Sequence, residues 1–168
     1  MSFTDSRFCF HRFAVTSILT LNTFVFLNAP TSLKAKEIRD CSIAVADAQK
    51  RLTKDGNLEV TMRSSDISEG SPDHPEHRPI AYEFFLRGSA AASIMHSRQF
   101  QKAIAIDIIE NCSSVGSVTF GVSGSGWIQT VGILPSGKID TFECLDPPRR
   151  DSSESNSKLT WGQEYCSL

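Results

Sequence analysis

Lysine and arginine form no cluster anywhere in the 168 residues, and basic and aromatic side chains do not interleave in a stripe. A binder of the phosphate backbone needs that electrostatic footprint, so nucleic acid is not expected as a partner. The same lack argues against an anionic membrane surface. No Cys-x-x-Cys or His-x-x-x-His spacing surrounds the cysteines, so neither a structural zinc site nor any other cofactor is expected. The longest apolar stretch, FAVTSILTLNTFVFLNA at positions 13–29, is broken by Asn22 and Asn28. A membrane-spanning helix wants about 20 predominantly apolar residues.

What stands in place of a span is a leader. Arg7, His11 and Arg12 precede the apolar stretch, and the small and turn-forming residues of PTSLKAKE follow it. A basic head, a short greasy centre and a small-residue exit describe a secretory signal peptide. Cleavage is expected after Ala35, with Leu33 and Ala35 at the recognition positions, which makes residues 1–35 the signal peptide and 36–168 one exported domain. The competing reading is an uncleaved amino-terminal anchor, which leaves the same domain on the same side of the membrane. Either way the protein is exported, to a periplasm, a lumen or the extracellular space. The leader carries three of the 17 basic and one of the 19 acidic side chains, so the remainder has a net charge near −4.

Cys9 lies in the leader, and the other four cysteines, Cys41, Cys112, Cys144 and Cys166, are an even number in an exported chain. Such a set suggests disulfides. Four cysteines allow three pairings, and the favoured one joins Cys41 to Cys112 across the helical half and Cys144 to Cys166 across the strand half. Those bridges close loops of about 70 and about 22 residues, each worth roughly 2–4 kcal/mol.

The periodicity along 36–168 predicts an α+β fold. CSIAVADAQKRLTK, from Cys41, sets Ile43, Val45, Ala46, Ala48 and Leu52 in a rough helical stripe, and NLEVTMR then alternates Leu58, Val60 and Met62 as a half-buried strand does. The polar stretch 64–79, SSDISEGSPDHPEHRP, is expected as a mobile loop. IAYEFFLRG follows as a strand pairing with the first. SAAASIMHS is helix-compatible, Ser97 suits a cap, and RQFQKAIAIDIIENC turns Phe100, Ala103, Ile104, Ala105 and Ile108 toward a core. Asp107 falls on the opposite side of that central helix. The carboxyl half reads as an antiparallel meander of three strands, over 118–122, 127–134 and 138–144, packed on the helix. Residues 145–158 form a second mobile polar loop before a final strand in LTWGQEYC.

Several motifs invite chemistry. GVSGSG, with Ser123 third, looks like the nucleophile loop of trypsin-like serine proteases, but the likeness covers four residues. A triad also needs an earlier His and Asp on a two-barrel domain of roughly 200 residues. An α/β-hydrolase elbow would need glycine where Ser125 stands and a helix after it, and a phosphate loop needs that helix too. The tract therefore reads as a hairpin turn, and no catalytic residue is assigned. DHPEH crowds His74 and His77 beside Asp73 and Glu76; these histidines are weak candidates for a divalent metal, with no further ligand specified. No Cys or Ser beside His96 reads as a nucleophile, its neighbour Ser97 being read as a helix cap. Trp127 and Trp161 could stack on a sugar or a peptide, although packing in a strand-rich half is the commoner use of tryptophan.

FEC before the second loop and WGQEYC after it, behind a signal peptide, resemble small uncharacterised exported proteins of cyanobacterial type. The resemblance is confined to the carboxyl-terminal region and implies no activity. Two function classes follow: an exported non-enzymatic binding or interaction module for an unknown protein or small ligand, or a small hydrolase or hydrolase inhibitor whose site sequence order hides.

Overall fold

Asp40 starts the first helix: its carboxylate accepts from the backbone N–H of Ser42 at 2.8 Å and from the Ser42 hydroxyl at 2.6 Å, satisfying one of the donors that a helix start leaves without a partner. The hydroxyl and then the N–H hold the Asp40 carboxyl below its ordinary range. The helix, α1, spans Cys41–Leu52. It belongs to a computed structural model that describes residues 39–54, 57–146 and 159–165, all of them in one compact unit. Ala44, Val45, Ala48 and Leu52 are its buried face. Ile43 is 52% exposed and Ala46 is exposed too, contrary to the expected stripe. Ile43 lies two residues from Val45, about 200° round a helix that turns 100° per residue.

Strand β1 (Glu59–Asp66) pairs antiparallel with β2 (Ile80–Arg87) in unbroken register from Glu59 opposite Arg87 to Asp66 opposite Ile80. Residues 64–66, expected in the loop, thus complete the strand. The rest of that loop is tied down. Ile67 N–H donates to the Pro79 carbonyl at 2.8 Å, and the Arg78 guanidinium donates to the carbonyls of Ile109 at 2.8 Å and Val115 at 2.9 Å. Arg78 so caps from outside a helix end whose last carbonyls have no intrahelical donor.

After β2 the chain forms α2 (Ala91–His96) and α3 (Arg98–Asn111) before returning as β3 (Val115–Val122), which lies parallel to β2. The sheet is therefore antiparallel except for one pair, because a helical crossover brings the chain back in its starting direction, as a hairpin cannot. The meander then follows as expected: β3, β4 (Ile128–Ile133) and β5 (Ile139–Thr141) pair antiparallel, giving the order β1-β2-β3-β4-β5. The expected third strand of the meander divides at Phe142. Its second part, β6 (Glu143–Leu145), leaves the main sheet and pairs parallel with β7 (Gln163–Tyr165). The FEC segment and the described part of WGQEYC, residues 161–165, are thus joined through a small second sheet.

Helix α3 is the centre of the fold. Ile104, Ala105, Ile108 and Ile109 are buried with Val118 and Phe120 of β3, Phe84 and Leu86 of β2 and Val131 of β4, and Phe100 and Val122 pack at the rim. Ala103 is exposed instead, because Gln101, Ile104, Ala105 and Ile108 define the inward arc. Ser97 occupies the cap position, but only its carbonyl is used there, accepting from Gln101 N–H at 3.1 Å. Asp107 is not idle: both of its oxygens accept from Arg39 at 2.5 Å. A disulfide joins Cys41 to Cys112 across 71 residues, tying the start of α1 to the end of α3. The second expected bridge ends at Cys166, which lies outside the described residues, as does the 145–158 loop beyond Asp146. The leader, residues 1–35, lies outside them too. Among the described residues no helix is long and apolar enough to cross a membrane.

A candidate ligand cleft beside Trp127

The GVSGSG tract closes the β3–β4 hairpin. Val122 N–H donates to the Trp127 carbonyl at 3.0 Å, Gly124 takes φ +76°, and the Ser125 hydroxyl donates to the Val122 carbonyl and accepts from Trp127 N–H, both at 3.1 Å. A left-handed residue at Gly124 costs nothing sterically where a side chain would be strained. Ser123 donates its backbone N–H to Leu86 at 2.9 Å, and lines a shallow depression of about 280 Å³ with Thr61, Arg63, Phe85 and Arg87.

The hairpin delivers Trp127 to the rim of a cleft of about 380 Å³, where His96, Arg98, Gln129, Glu164 and Tyr165 also line the wall. His96 ends α2 and sets its ring edge-on to the indole of Trp127, with centroids 4.9 Å apart and planes at 67°. Arg98, at the start of α3, makes no ion pair among the described residues. Glu164 comes in beside Thr130, where β5 ends at Thr141. Phe142, just past β5, donates its N–H to the Thr130 carbonyl at 2.9 Å, and the Thr130 N–H is met by Glu164 Oε1 of β7 at 3.2 Å. Glu164 Oε2 is enclosed and has no hydrogen-bond partner. Burial pushes the Glu164 carboxyl up in pKa, against the opposing pull of the Thr130 bond.

A second enclosed oxygen without a partner lies close by in the chain of contacts. Gln101 Oε1 is unsatisfied while Gln101 Nε2 reaches the sulfur of Met95 at 3.5 Å, and Met95 also lines the cleft. Native proteins leave few buried polar atoms unmatched, and each such atom asks for an explanation. Among the described side chains one belongs to the cleft wall and the other to a residue that touches Met95 of that wall.

The two tryptophans separate. Trp161 is 7% exposed; its ring N–H donates to the Ile133 carbonyl at 2.6 Å, its backbone N–H to Asp73 at 2.7 Å, and its ring stands at 75° to that of Phe142 with centroids 5.0 Å apart. Gly116 makes room for it. A Cβ at Gly116 would lie 2.7 Å from the Arg78 carbonyl oxygen and 3.4 Å from the Trp161 ring. His74 is held by the Ser71 carbonyl at 2.9 Å and stands edge-on to Trp161 at 6.5 Å. His77 is exposed beside Glu76, 3.3 Å away. Among the described residues no three His, Cys, Asp or Glu side chains gather where a metal ion could be held.

Sequence reasoning named Trp127 but missed Arg98, Gln129, Glu164 and Tyr165 as its neighbours. They come from α3, β4 and β7, and no spacing relates them before the chain is folded. The only available signal was local, a carboxylate inside a strand otherwise flanked by Trp161, Tyr165 and Cys166. Compared with protein-family models, with curated proteins and with solved structures, the chain matches none.

Proposed function

We propose that this chain is an exported, non-enzymatic binding module and that its ligand seats in the cleft beside Trp127. The observation that carries the reading is the convergence of an indole, an imidazole, a guanidinium with no ion pair among the described residues, an amide and a carboxylate on one open cavity. Few, well-placed polar groups around an aromatic wall are what a small-ligand site uses to fix orientation. A flat-faced polar ligand, a sugar or a short peptide, suits that wall: the indole contributes area and the polar groups contribute direction. Export is supported by the Cys41–Cys112 bridge, since lasting disulfides belong to oxidising compartments.

Binding is tested by titrating the protein with a panel of oligosaccharides and peptides while following Trp127 by fluorescence and the backbone amides by NMR. Saturable shifts confined to residues of the cleft are expected, and Trp127→Ala should weaken binding at least tenfold. Binding that survives both Trp127→Ala and Arg98→Ala would place the site elsewhere. One observation favours a hydrolase as the second reading: Glu164, its carboxyl pushed up by burial, lines the same cavity as His96, and a raised carboxyl is how a general acid is kept protonated. Turnover of any bound panel member, abolished by Glu164→Gln with binding retained, would establish that reading over the first.

A further inference from the structure

At the far edge of the sheet from β5, strand β1 has no strand on its outer side among the described residues. It joins β2 alone and closes the strand order, so along its outer edge alternate residues turn their peptide groups away from β2. Its eight residues, EVTMRSSD, contain no proline and no lysine, and no bulge interrupts the register. Those are the devices by which proteins blunt an open edge against a second strand. Charge is present in both signs. Glu59, Thr61 and Arg63 are exposed on one face, and Val60 and Met62 turn to the other, where they pack half-buried at the rim of the core.

This pattern is complementary to itself. Let a second copy pair antiparallel about a two-fold axis at Thr61. Glu59 then stands opposite Arg63 of the second copy, and Val60 opposite its Met62, each pair occurring twice. Side chains directly opposite in an antiparallel pair have Cβ atoms about 4.5–5.5 Å apart, close enough for the ion pair and for the apolar contact. Directly opposed residues share a face, so the axis can fall only on a residue. At Arg63 it would oppose that side chain to itself and Val60 to Asp66, and at Val60 or Met62 it would leave Glu59 and Arg63 without an opposite charge across the pair. Charge and hydropathy therefore select one register, and the apolar layer under Val60 and Met62 continues into the second molecule.

We propose that β1 is a homodimer edge, joining two five-stranded sheets into one through an antiparallel β1–β1 pair centred on Thr61. The contact is isologous, the commonest kind in soluble dimers. It is independent of the cleft, and either can fail without the other.

Sedimentation equilibrium of the full chain is expected to give a dimer. Glu59→Arg and Arg63→Glu, each alone, oppose like charges at both ends of the pair and should weaken dimerisation at least tenfold. The double exchange restores opposite signs and should restore the dimer, with unchanged circular dichroism showing that all three variants fold. Thr61→Cys should cross-link two chains under oxidation, above the level of the unsubstituted chain, because opposed residues have Cα atoms about 4.5–5.5 Å apart, within disulfide reach. Ser65→Cys, four residues off the axis, should not. A monomer at every concentration overturns the proposal and leaves the edge to a strand of another protein. So does a dimer indifferent to the single charge variants, or one that cross-links as readily through position 65.

Discussion

Where α1 begins and α3 ends, Arg39 reaches Asp47 at 2.7 Å and Asp107 at 2.5 Å, its backbone N–H finds Asn111 at 2.8 Å, and the Cys41–Cys112 bridge closes beside them; at the cleft, Glu164 keeps one carboxylate oxygen enclosed and unmatched, and Gln101, which touches Met95 of the cleft wall, keeps its amide oxygen so. The first region is cross-linked and internally satisfied. The second holds polar groups in place without completing their hydrogen bonds. Stability and recognition place opposite demands on such groups: a structural network gains by satisfying every member, whereas a binding site keeps capacity that a ligand can use. The contrast marks the cleft as the place where this sequence departs from the rules that the rest of it follows.

The largest expected effect lies in the stapled region. Replacing Cys41 and Cys112 together by alanine releases a loop of 71 residues and should cost roughly 4 kcal/mol, the chain-entropy expectation for a loop of that order. Urea unfolding of oxidised wild type against the double variant gives the number. If the loss stays under about 1 kcal/mol, the salt bridges hold this end unaided and the contrast loses its main support. In protein from its native compartment, the mass should show the hydrogens of this bridge missing relative to the thiol form.

Next in size is the comparison of Ile104 with Asp107. Ile104 has no exposed surface, and Ile104→Ala should cost about 2–5 kcal/mol. Asp107→Ala removes the partner of Arg39, at a site where both side chains keep some access to water, and should cost about 1 kcal/mol. Gln99→Ala, on the exposed side of the same helix, controls for propensity and should change little. An Asp107→Ala variant indistinguishable from Gln99→Ala would show that Arg39 transfers its bond to Asp47 without loss.

The sequence carried the helices, the β1–β2 pairing and the presence of a disulfide because each leaves a local or countable signal: a period of 3.6, a period of two, an even number of cysteines; the choice of Cys41 with Cys112 among three pairings rested on which half each cysteine flanks. It misplaced Ile43 and Ala103 because a stripe drawn through every apolar residue is wider than the arc that packing covers. Asp107 was mistaken for an idle surface residue because its partner, Arg39, is remote in sequence. The parallel β2–β3 pair also escaped, since handedness and direction follow from the crossover as a whole rather than from any strand in it. Of the cleft only Trp127 was legible. Along its polar wall, His96, Arg98, Gln129, Glu164 and Tyr165 come from α2, α3, β4 and β7, and only the fold makes them neighbours.

The smallest effect tests the cleft side of the contrast, through the sign of a pH dependence. Glu164 has its pKa raised by burial above the ordinary 4.5. The folded protein therefore holds this proton more tightly than the unfolded chain does, so the contribution of the group to stability is greatest at low pH and declines as pH rises from about 4.5 through the folded pKa. Asp140 behaves oppositely. Hydrogen bonds from Lys102 and Lys138 hold its carboxyl well below the usual range, so its contribution is present above pH 3.8 and is lost as pH falls below that. The two windows do not overlap, which lets one variant isolate Glu164. Glu164→Gln keeps an oxygen for the Thr130 N–H and removes the charge, so relative to wild type it should gain stability as pH rises from 4.5 toward 7, by less than about 1 kcal/mol in this half-buried setting. Urea midpoints of the two proteins at half-unit steps of pH give the difference curve. A flat curve, or one that turns against the variant with rising pH, would mean that the ionised carboxylate is held by a partner, and that the cleft is as internally satisfied as the stapled end.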